Sequence, residues 1–367
     1  MNPPPASPSQ QASEAPVARY WHRVEGQRIQ CDLCPRTCRL RPNQRGYCFV
    51  RQNLDGQLVL ATYGRSSGFC VDPIEKKPLY HVAPGGAVLS FGTAGCNLGC
   101  RFCQNWHIST ARQMDTLGEL AQPETIAAAA HQLGCQGVAY TYNDPVIFAE
   151  YALDVAAACR QRGLLNLAVT AGYIASQARG EFFAGMDAAN VDLKSFQPDF
   201  YRRLTGGHLE TVLDTLRYLV HETTVWVEIT TLLIPGLNDS EAELRQLTTW
   251  VATELSPDVP LHFTAFHPAA RLTDRPPTPP ATLRRARALG LEAGLRYVYT
   301  GNVDDVAGSA TYCPTCGEQV ISRRRMSLDQ FRLTDEGHCP ECSSAIAGLW
   351  QARPARPFRG RQPVRLA

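Results

Sequence analysis

Fourteen cysteines in 367 residues are where this sequence has most chemical reach. Three of them, Cys96, Cys100 and Cys103, share the spacing Cys-x-x-x-Cys-x-x-Cys within FGTAGCNLGCRFCQNW at 91–106. Iron–sulfur clusters are normally held by four thiolates. Three close ligands with no fourth nearby leave one metal position open, as a catalytic metal requires. Gly95 and Gly99 would let the loop wrap tightly around such a cluster. The spacing also suits a structural zinc knuckle that borrows a distant ligand such as His107. It favours metal over coincidence more firmly than iron over zinc.

Two further groups flank this one. Cys313-Pro-Thr-Cys316 and Cys339-Pro-Glu-Cys342 are a pair of knuckles with 22 residues between them. Four soft thiolates on two turns suit a closed, tetrahedral zinc site, and rubredoxin-like iron uses similar knuckles. So small a segment has too little core to fold alone, and a metal would supply the stability. Reduced cysteines in a disordered tail are the bland alternative. Arg323, Arg324 and Arg325 lie between the knuckles and read as a solvated turn rather than a nucleic-acid contact. Near the N-terminus, Cys31, Cys34, Cys38 and Cys48 put four thiols into 18 residues, a candidate second metal site for zinc or a cluster. Cys70, Cys135 and Cys159 read as ordinary small buried residues.

The elements that must position these groups alternate. Apolar runs at 87–91, 137–142, 165–170, 189–193, 225–231, 261–266 and 296–300 read as strands. Amphipathic stretches around 123–133, 145–162, 209–221, 239–254 and 280–293 read as helices, with Val146, Ala149, Leu153 and Ala157 as one apolar stripe. Alternation of this kind predicts an α/β fold, a full or partial barrel of parallel strands joined by right-handed crossovers. Chemistry then belongs at the C-terminal ends of the strands. Boundaries are expected at 1–18 (disordered tail), 19–85 (Cys-rich segment), 86–305 (barrel core), 306–350 (zinc-ribbon-like segment) and 351–367 (disordered tail). A Pro-rich run, 276–280, is a loop before the last helix.

The composition is ordinary for a globular chain, 44% hydrophobic and 19% charged, with a formal net charge of +2. That charge gives no reason to expect nucleic acid or a membrane as main partner. No apolar run approaches the roughly 20 residues that span a bilayer. With no export signal and clustered rather than paired cysteines, a reducing cytoplasm is expected.

The segment around Cys96, Cys100 and Cys103, with Phe102 before the last cysteine, resembles the signature of the radical S-adenosylmethionine (SAM) superfamily. The resemblance implies a partial (β/α) barrel and a 4Fe–4S cluster whose open iron chelates SAM. Reductive cleavage would then give a 5′-deoxyadenosyl radical that abstracts hydrogen from a substrate. Several strand ends are similar to the relatives of pyruvate formate-lyase activating enzyme. Asn143 and Asp144 stand where that branch has a Gly-Gly-Glu-Pro loop, with both glycines absent and a shorter carboxylate. Asp192 and Lys194 match its Asp-x-Lys motif, and His267 matches a histidine that contacts the SAM ribose. The turn Ile234-Pro235-Gly236 also matches. With Phe102 and Gln104, these are the SAM-contact residues the resemblance implies. Taken singly, Lys194 reads as a solvated charge, His267 as a satisfied histidine and Asp144 as a helix cap before Pro145.

The order of motifs over about 20–350, including Val71–His81, resembles the AmmeMemoRadiSam-system radical SAM enzymes. Lys76, Lys77 and His81 in that motif could meet an anionic substrate or form a plain surface pair. The glycyl-radical activase signature has a Gly-x-Arg upstream of the cluster, and Gly86-Ala-Val-Leu-Ser-Phe here lacks the arginine. The leading expectation is an oxidoreductase acting by SAM cleavage, on a substrate that two metal-bearing appendages suggest is a protein, with flavodoxin or ferredoxin as electron donor. A tailoring enzyme for a small molecule or RNA is the second expectation. A non-catalytic multi-zinc binding module is the third, of another class.

Overall fold

A computed structural model describes residues 16–114, 117–350, 358 and 360–366. Its centre is one open, curved sheet of nine strands. In chain order these are β1 (Phe69–Pro73), β2 (Ala87–Phe91), β3 (Gly137–Tyr140), β4 (Leu165–Thr170), β5 (Ala188–Asp192), β6 (Trp226–Leu233), β7 (Leu261–Ala265), β8 (Val298–Gly301) and β9 (Gln362–Val364). Strands β2 to β8 are all parallel and adjacent in chain order. The helices α1 (Pro123–Gln132), α2 (Ala149–Arg160), α3 (Ser176–Ala184), α4 (Leu209–Glu222), α5 (Glu241–Trp250) and α6 (Pro280–Glu292) form the crossovers. This is the expected partial barrel.

Side chains alternate strictly across the sheet, as the period of two demands. Leu89, Phe91, Val138, Tyr140, Ile229, Phe263 and Val298 face the helices and join the main core. The opposite parity lines the inside. At its floor, Val88, Ala139, Leu167, Ala188 and Trp226 pack with Ile74, Leu79 and Val82 from the segment after β1. Higher inner positions are polar: Ser90, Asn190, Thr230 and Thr264 are all buried.

Four expectations need correction. The Cys-rich segment does not stay outside the barrel, because β1 joins the sheet as an antiparallel strand beside β2. The C-terminal tail is not wholly irregular: β9 pairs with β1, Gln362 opposite Val71. The N-terminal tail ends earlier than expected. Val17 bridges to Val59 and Ala18 is buried, while residues 1–15, 115–116, 351–357, 359 and 367 lie outside the described residues. Finally, the stripe through Leu153 and Ala157 is displaced. The chain leaves Asp144 as a 3-10 turn, Pro145–Phe148, which rotates α2 so that Tyr151, Ala152, Val155, Ala156 and Cys159 are buried and Ala157 is exposed.

Candidate active site

The loop holding Cys96, Cys100 and Cys103 leaves the C-terminal end of β2, and all three thiols are partly buried. Asn143, beyond β3, holds its start: Nδ2 donates to the Gly95 carbonyl at 2.7 Å, and Oδ1 accepts the Thr93 N–H at 3.1 Å. With its amide so engaged, Asn143 is a positioning residue for the loop. Burial pushes the Cys96 thiol up to about 12 and the Cys100 thiol to about 11. Thiolates here therefore need a compensating cation, which a bound metal provides.

The loop glycines also serve a second purpose. Gly95 has φ +80, and a Cβ there would overlap the Cys48 carbonyl oxygen; one on Gly99 would overlap the Tyr47 hydroxyl. Both glycines let the N-terminal cysteine segment lie against the cluster loop. Arg36 completes that seam by donating from Nε to the Asn97 carbonyl and from Nη2 to the Gly206 carbonyl at 2.8 Å.

Asp144 caps the turn after β3, with Oδ1 accepting the Val146 N–H at 3.1 Å. The same carboxylate accepts from Thr170 Oγ1 at 2.9 Å and from the Ala171 N–H at 3.2 Å, tying the tips of β3 and β4 together. Burial raises its pKa to about 6, with the hydrogen bonds pulling the other way. Its charge and its backbone N–H both act on the Cys96 thiol.

Lys194 follows β5 and is not a solvated charge. Its side chain is 14% exposed and its Nζ pairs with Asp192 at 2.8 Å. The backbone is fixed on both sides: the Lys194 N–H donates to the Tyr201 hydroxyl at 3.0 Å, and its carbonyl accepts from Asn238 Nδ2 at 2.8 Å. Asp192 and Cys100 hold the ammonium pKa well above the ordinary lysine value despite its burial. Asn238 also receives the Ile234 N–H at 2.7 Å, so the Ile234-Pro235-Gly236 turn is what locks Lys194.

Phe102 is buried with Phe200, Ile234, Phe266 and Leu272, its ring 5.7 Å from that of Phe200. It anchors the loop to the segment after β7. Arg271 N–H donates to the Arg101 carbonyl at 2.8 Å across the same seam. His267 is exposed on this segment, and Gln104 and His107 are exposed on the loop. Three polar atoms on the inner face among the described residues, Ser90 Oγ, Asn190 Oδ1 and Thr230 Oγ1, are buried without a protein partner. Thr230 is paired in register with Asp192. Orphaned groups of this kind call for a ligand or water, and the sequence signal for them is the inward parity of short hydroxyl residues near strand ends.

The Val71–His81 motif is interior. Lys77 is buried against Asp72 at 2.7 Å, and Lys76 pairs with the same carboxylate at 2.7 Å. His81 is fully buried at the barrel floor, with Nε2 and Nδ1 within 2.6 Å of the Tyr299 hydroxyl and the Ala347 carbonyl. None of the three is offered to a substrate as a free surface cation.

The four C-terminal thiols converge, all within 4.8 Å of one another, with Cys313 and Cys342 sulfurs 3.5 Å apart and those of Cys316 and Cys339 3.7 Å apart. Zinc–sulfur bonds of about 2.3 Å in a tetrahedron place sulfurs at about this separation. Burial contradicts the solvated reading of Arg323. Its guanidinium donates to the Tyr80 carbonyl at 2.5 Å and the Ser309 carbonyl at 3.2 Å, and lies 4.2 Å from the Tyr80 ring. The segment shares a core with Tyr80, Tyr297 and Tyr299 at the barrel floor, the end opposite the cluster loop.

Residues 91–248 match the Radical SAM superfamily. The chain is 39% identical over 330 residues to the "Uncharacterized protein MJ0808" of Methanocaldococcus jannaschii, covering 90% of this chain and 98% of that protein. It is 26% identical over 156 residues to a "Pyruvate formate-lyase-activating enzyme" of Clostridium pasteurianum, covering 42% of this chain and 64% of that one. A solved domain of a pyruvate-formate lyase-activating enzyme from Bacteroides vulgatus superposes with TM-score 0.40 at 18% identity, covering 45% of this chain and 99% of the domain.

The chain belongs to the radical SAM superfamily, the class of enzyme that this fold and loop define. Within it, the chain shares a family over almost its whole length with the methanocaldococcal protein. Superfamily membership implies a 4Fe–4S cluster and SAM. The donor set fits both: three thiols on one loop, a buried cation at Lys194, and hydroxyls on the inner face that lack a protein partner.

Proposed function

We propose that the chain cleaves SAM reductively at a cluster held by Cys96, Cys100 and Cys103, and abstracts hydrogen from a substrate at the barrel mouth. When bound, the cluster and SAM supply the hard step, a one-electron cleavage to methionine and a 5′-deoxyadenosyl radical. The protein's part is to bind, orient and exclude water. The reading is carried by one observation. Lys194 beyond β5 and Asp144 beyond β3 are fixed by hydrogen bonds at the same strand ends from which the cysteine loop leaves β2. Lys194, held by Asp192 and Asn238, would receive the SAM carboxylate as a charge-assisted contact. His267 and Gln104 stand exposed on neighbouring segments, where they would contact a bound cofactor. Phe102 packs against Phe266, the neighbour of His267. The electron comes from a low-potential one-electron donor such as flavodoxin or ferredoxin.

The activase-like reading, with a protein as substrate, rests on the relative from Clostridium pasteurianum and on the motif order shared with AmmeMemoRadiSam-system enzymes. Ser90 and Thr230 favour a second reading, a small polar substrate inside the barrel, because orphaned hydroxyls there match hydrogen-bonding groups. The C-terminal segment packs at the barrel floor, so it adds no support for a macromolecule at the mouth. A match to the superfamily over the cluster loop disfavours a non-catalytic zinc module. Candidate substrates deuterated at the abstracted position test both readings. Label appearing in 5′-deoxyadenosine identifies the substrate, and a panel of proteins and polar metabolites that all leave it unlabelled excludes those tested.

A further inference from the structure

The N-terminal cysteines form a built site of their own. Cys31, Cys34, Cys38 and Cys48 line a single cavity together with Arg36, Arg51, Asn97 and Ile147. Leu33, Gly46 and Val146 complete its wall. Two stretches bring the thiols there. A three-stranded sheet (Trp21–Val24, Arg28–Cys31, Arg39–Leu40) places Cys31 N–H on the Cys38 carbonyl at 2.9 Å. Cys48 returns through a turn in which a Cβ on Gly46 would meet the Cys48 sulfur at 3.8 Å and the Cys38 sulfur at 4.0 Å. The chain is bent to do this. Thr37, beside Cys38, has φ 41, and Phe49, beside Cys48, has φ 74. Side chains that bulky rarely take such angles, and such strain gathers at ligand clamps.

We infer that these four cysteines hold a second iron–sulfur cluster, seated against the loop of the first. Two features favour a cluster over a lone zinc ion. The C-terminal thiols converge within 4.8 Å as zinc demands, whereas among the described residues neither the N-terminal nor the central cysteines form such a convergent group. Thiols that ring a cavity suit a body of several metal and sulfide atoms rather than a single ion. The charge is also provided for. The Arg51 guanidinium is fully buried in the wall of the cavity that the four thiols line, and pairs with Glu150 at 2.6 Å. A cluster carrying four thiolates is anionic, and a guanidinium in the cavity wall, even one paired with a carboxylate, offsets part of that charge.

Position gives the site its role. Asn97, next to Cys96, is part of the cavity wall, and the Cys48 carbonyl lies against Gly95. Four protein thiolates leave no iron open to a substrate, so this site exchanges electrons only. One electron enters from a flavodoxin- or ferredoxin-type donor and leaves to the neighbouring cluster, with no bond made or broken.

The test uses the full chain, assembled anaerobically with iron and sulfide. In the variant C96A/C100A/C103A, about four irons and four sulfides per chain should remain, with a reduced-state EPR signal indifferent to SAM. A variant without iron overturns the inference, as does a wild-type chain binding two zinc ions. The variant C31S/C34S/C38S/C48S should lose about four irons and keep the SAM-sensitive signal. Unchanged iron content there is equally contrary. If that second variant does not fold, the first still decides. Wild-type protein that never cleaves SAM would sink the proposed function and leave this inference standing on the iron content.

Discussion

Gly95 and the carbonyl of Cys48 are in contact across the seam between the cluster loop and the N-terminal segment, so close that a Cβ on Gly95 would come 2.9 Å from the carbonyl carbon. Neither chain can give way. Gly95 has φ +80, and its carbonyl is held by Asn143. Gly95→Ala should therefore cost at least about 2 kcal/mol, from the positive φ plus the overlap. It should also lower the iron retained at Cys96, Cys100 and Cys103. Chemical denaturation and iron analysis check both, and a variant of wild-type stability and iron content would show that the seam is loose.

Lys194→Met removes the largely buried ammonium beside the cluster loop and keeps the length of the side chain. A charge-assisted contact is worth about 1.5–3 kcal/mol, so SAM affinity should fall roughly 10- to 100-fold. Iron content should not change, since Lys194 ligates nothing. Equilibrium binding to the reduced and oxidised protein reads this directly, and unaltered affinity removes Lys194 from the SAM site.

Cys313→Ser breaks the tetrahedral set at the barrel floor. One metal ion per chain should be lost, and the melting temperature should fall by roughly 3 °C if the site is worth about 2 kcal/mol. SAM cleavage at temperatures where the variant stays folded should persist, because the cluster loop is at the other end of the strands. Loss of cleavage in a fully folded variant would mean that the floor and the mouth are coupled.

His81 sits fully buried between the barrel and the C-terminal segment, and burial lowers its pKa to about 4. In the unfolded chain the imidazole titrates at about 6.5. The folded value is the lower one, so the stability this neutral histidine contributes is present above pH 6.5 and is lost as pH falls through about 4. The loss is at most about 3 kcal/mol. His81→Gln should flatten that part of the pH–stability curve; a curve as steep as wild type assigns the acid sensitivity elsewhere.

The barrel was legible because its strands and helices carry clear periods. The seven parallel strands fall within a residue or two of the apolar runs, and Tyr142, at φ 71, ends the run that overshot. Helix α3 escaped notice because Ser176–Ala184 carries Gly180 and little amphipathic contrast. Long-range facts had no local signal. The pairing of β9 with β1 joins residues nearly 300 apart, such as Gln362 and Val71. The burial of Lys77 and Arg323 depends on Asp72 and on the Tyr80 ring, which no spacing rule reveals. At the site, the three cysteines announced themselves by spacing. Asn143 reads from the sequence as a cofactor contact, and its hold on Gly95 and Thr93 has no local signal because spacing does not say what an amide faces.

SAM cleavage at Cys96, Cys100 and Cys103 is tested most directly by its products. Anaerobically assembled protein, reduced with dithionite and given SAM, should release 5′-deoxyadenosine and methionine in equal amounts, while C96A/C100A/C103A releases none. Equal release from that variant, or none from a wild-type protein carrying a full complement of iron, would contradict the account.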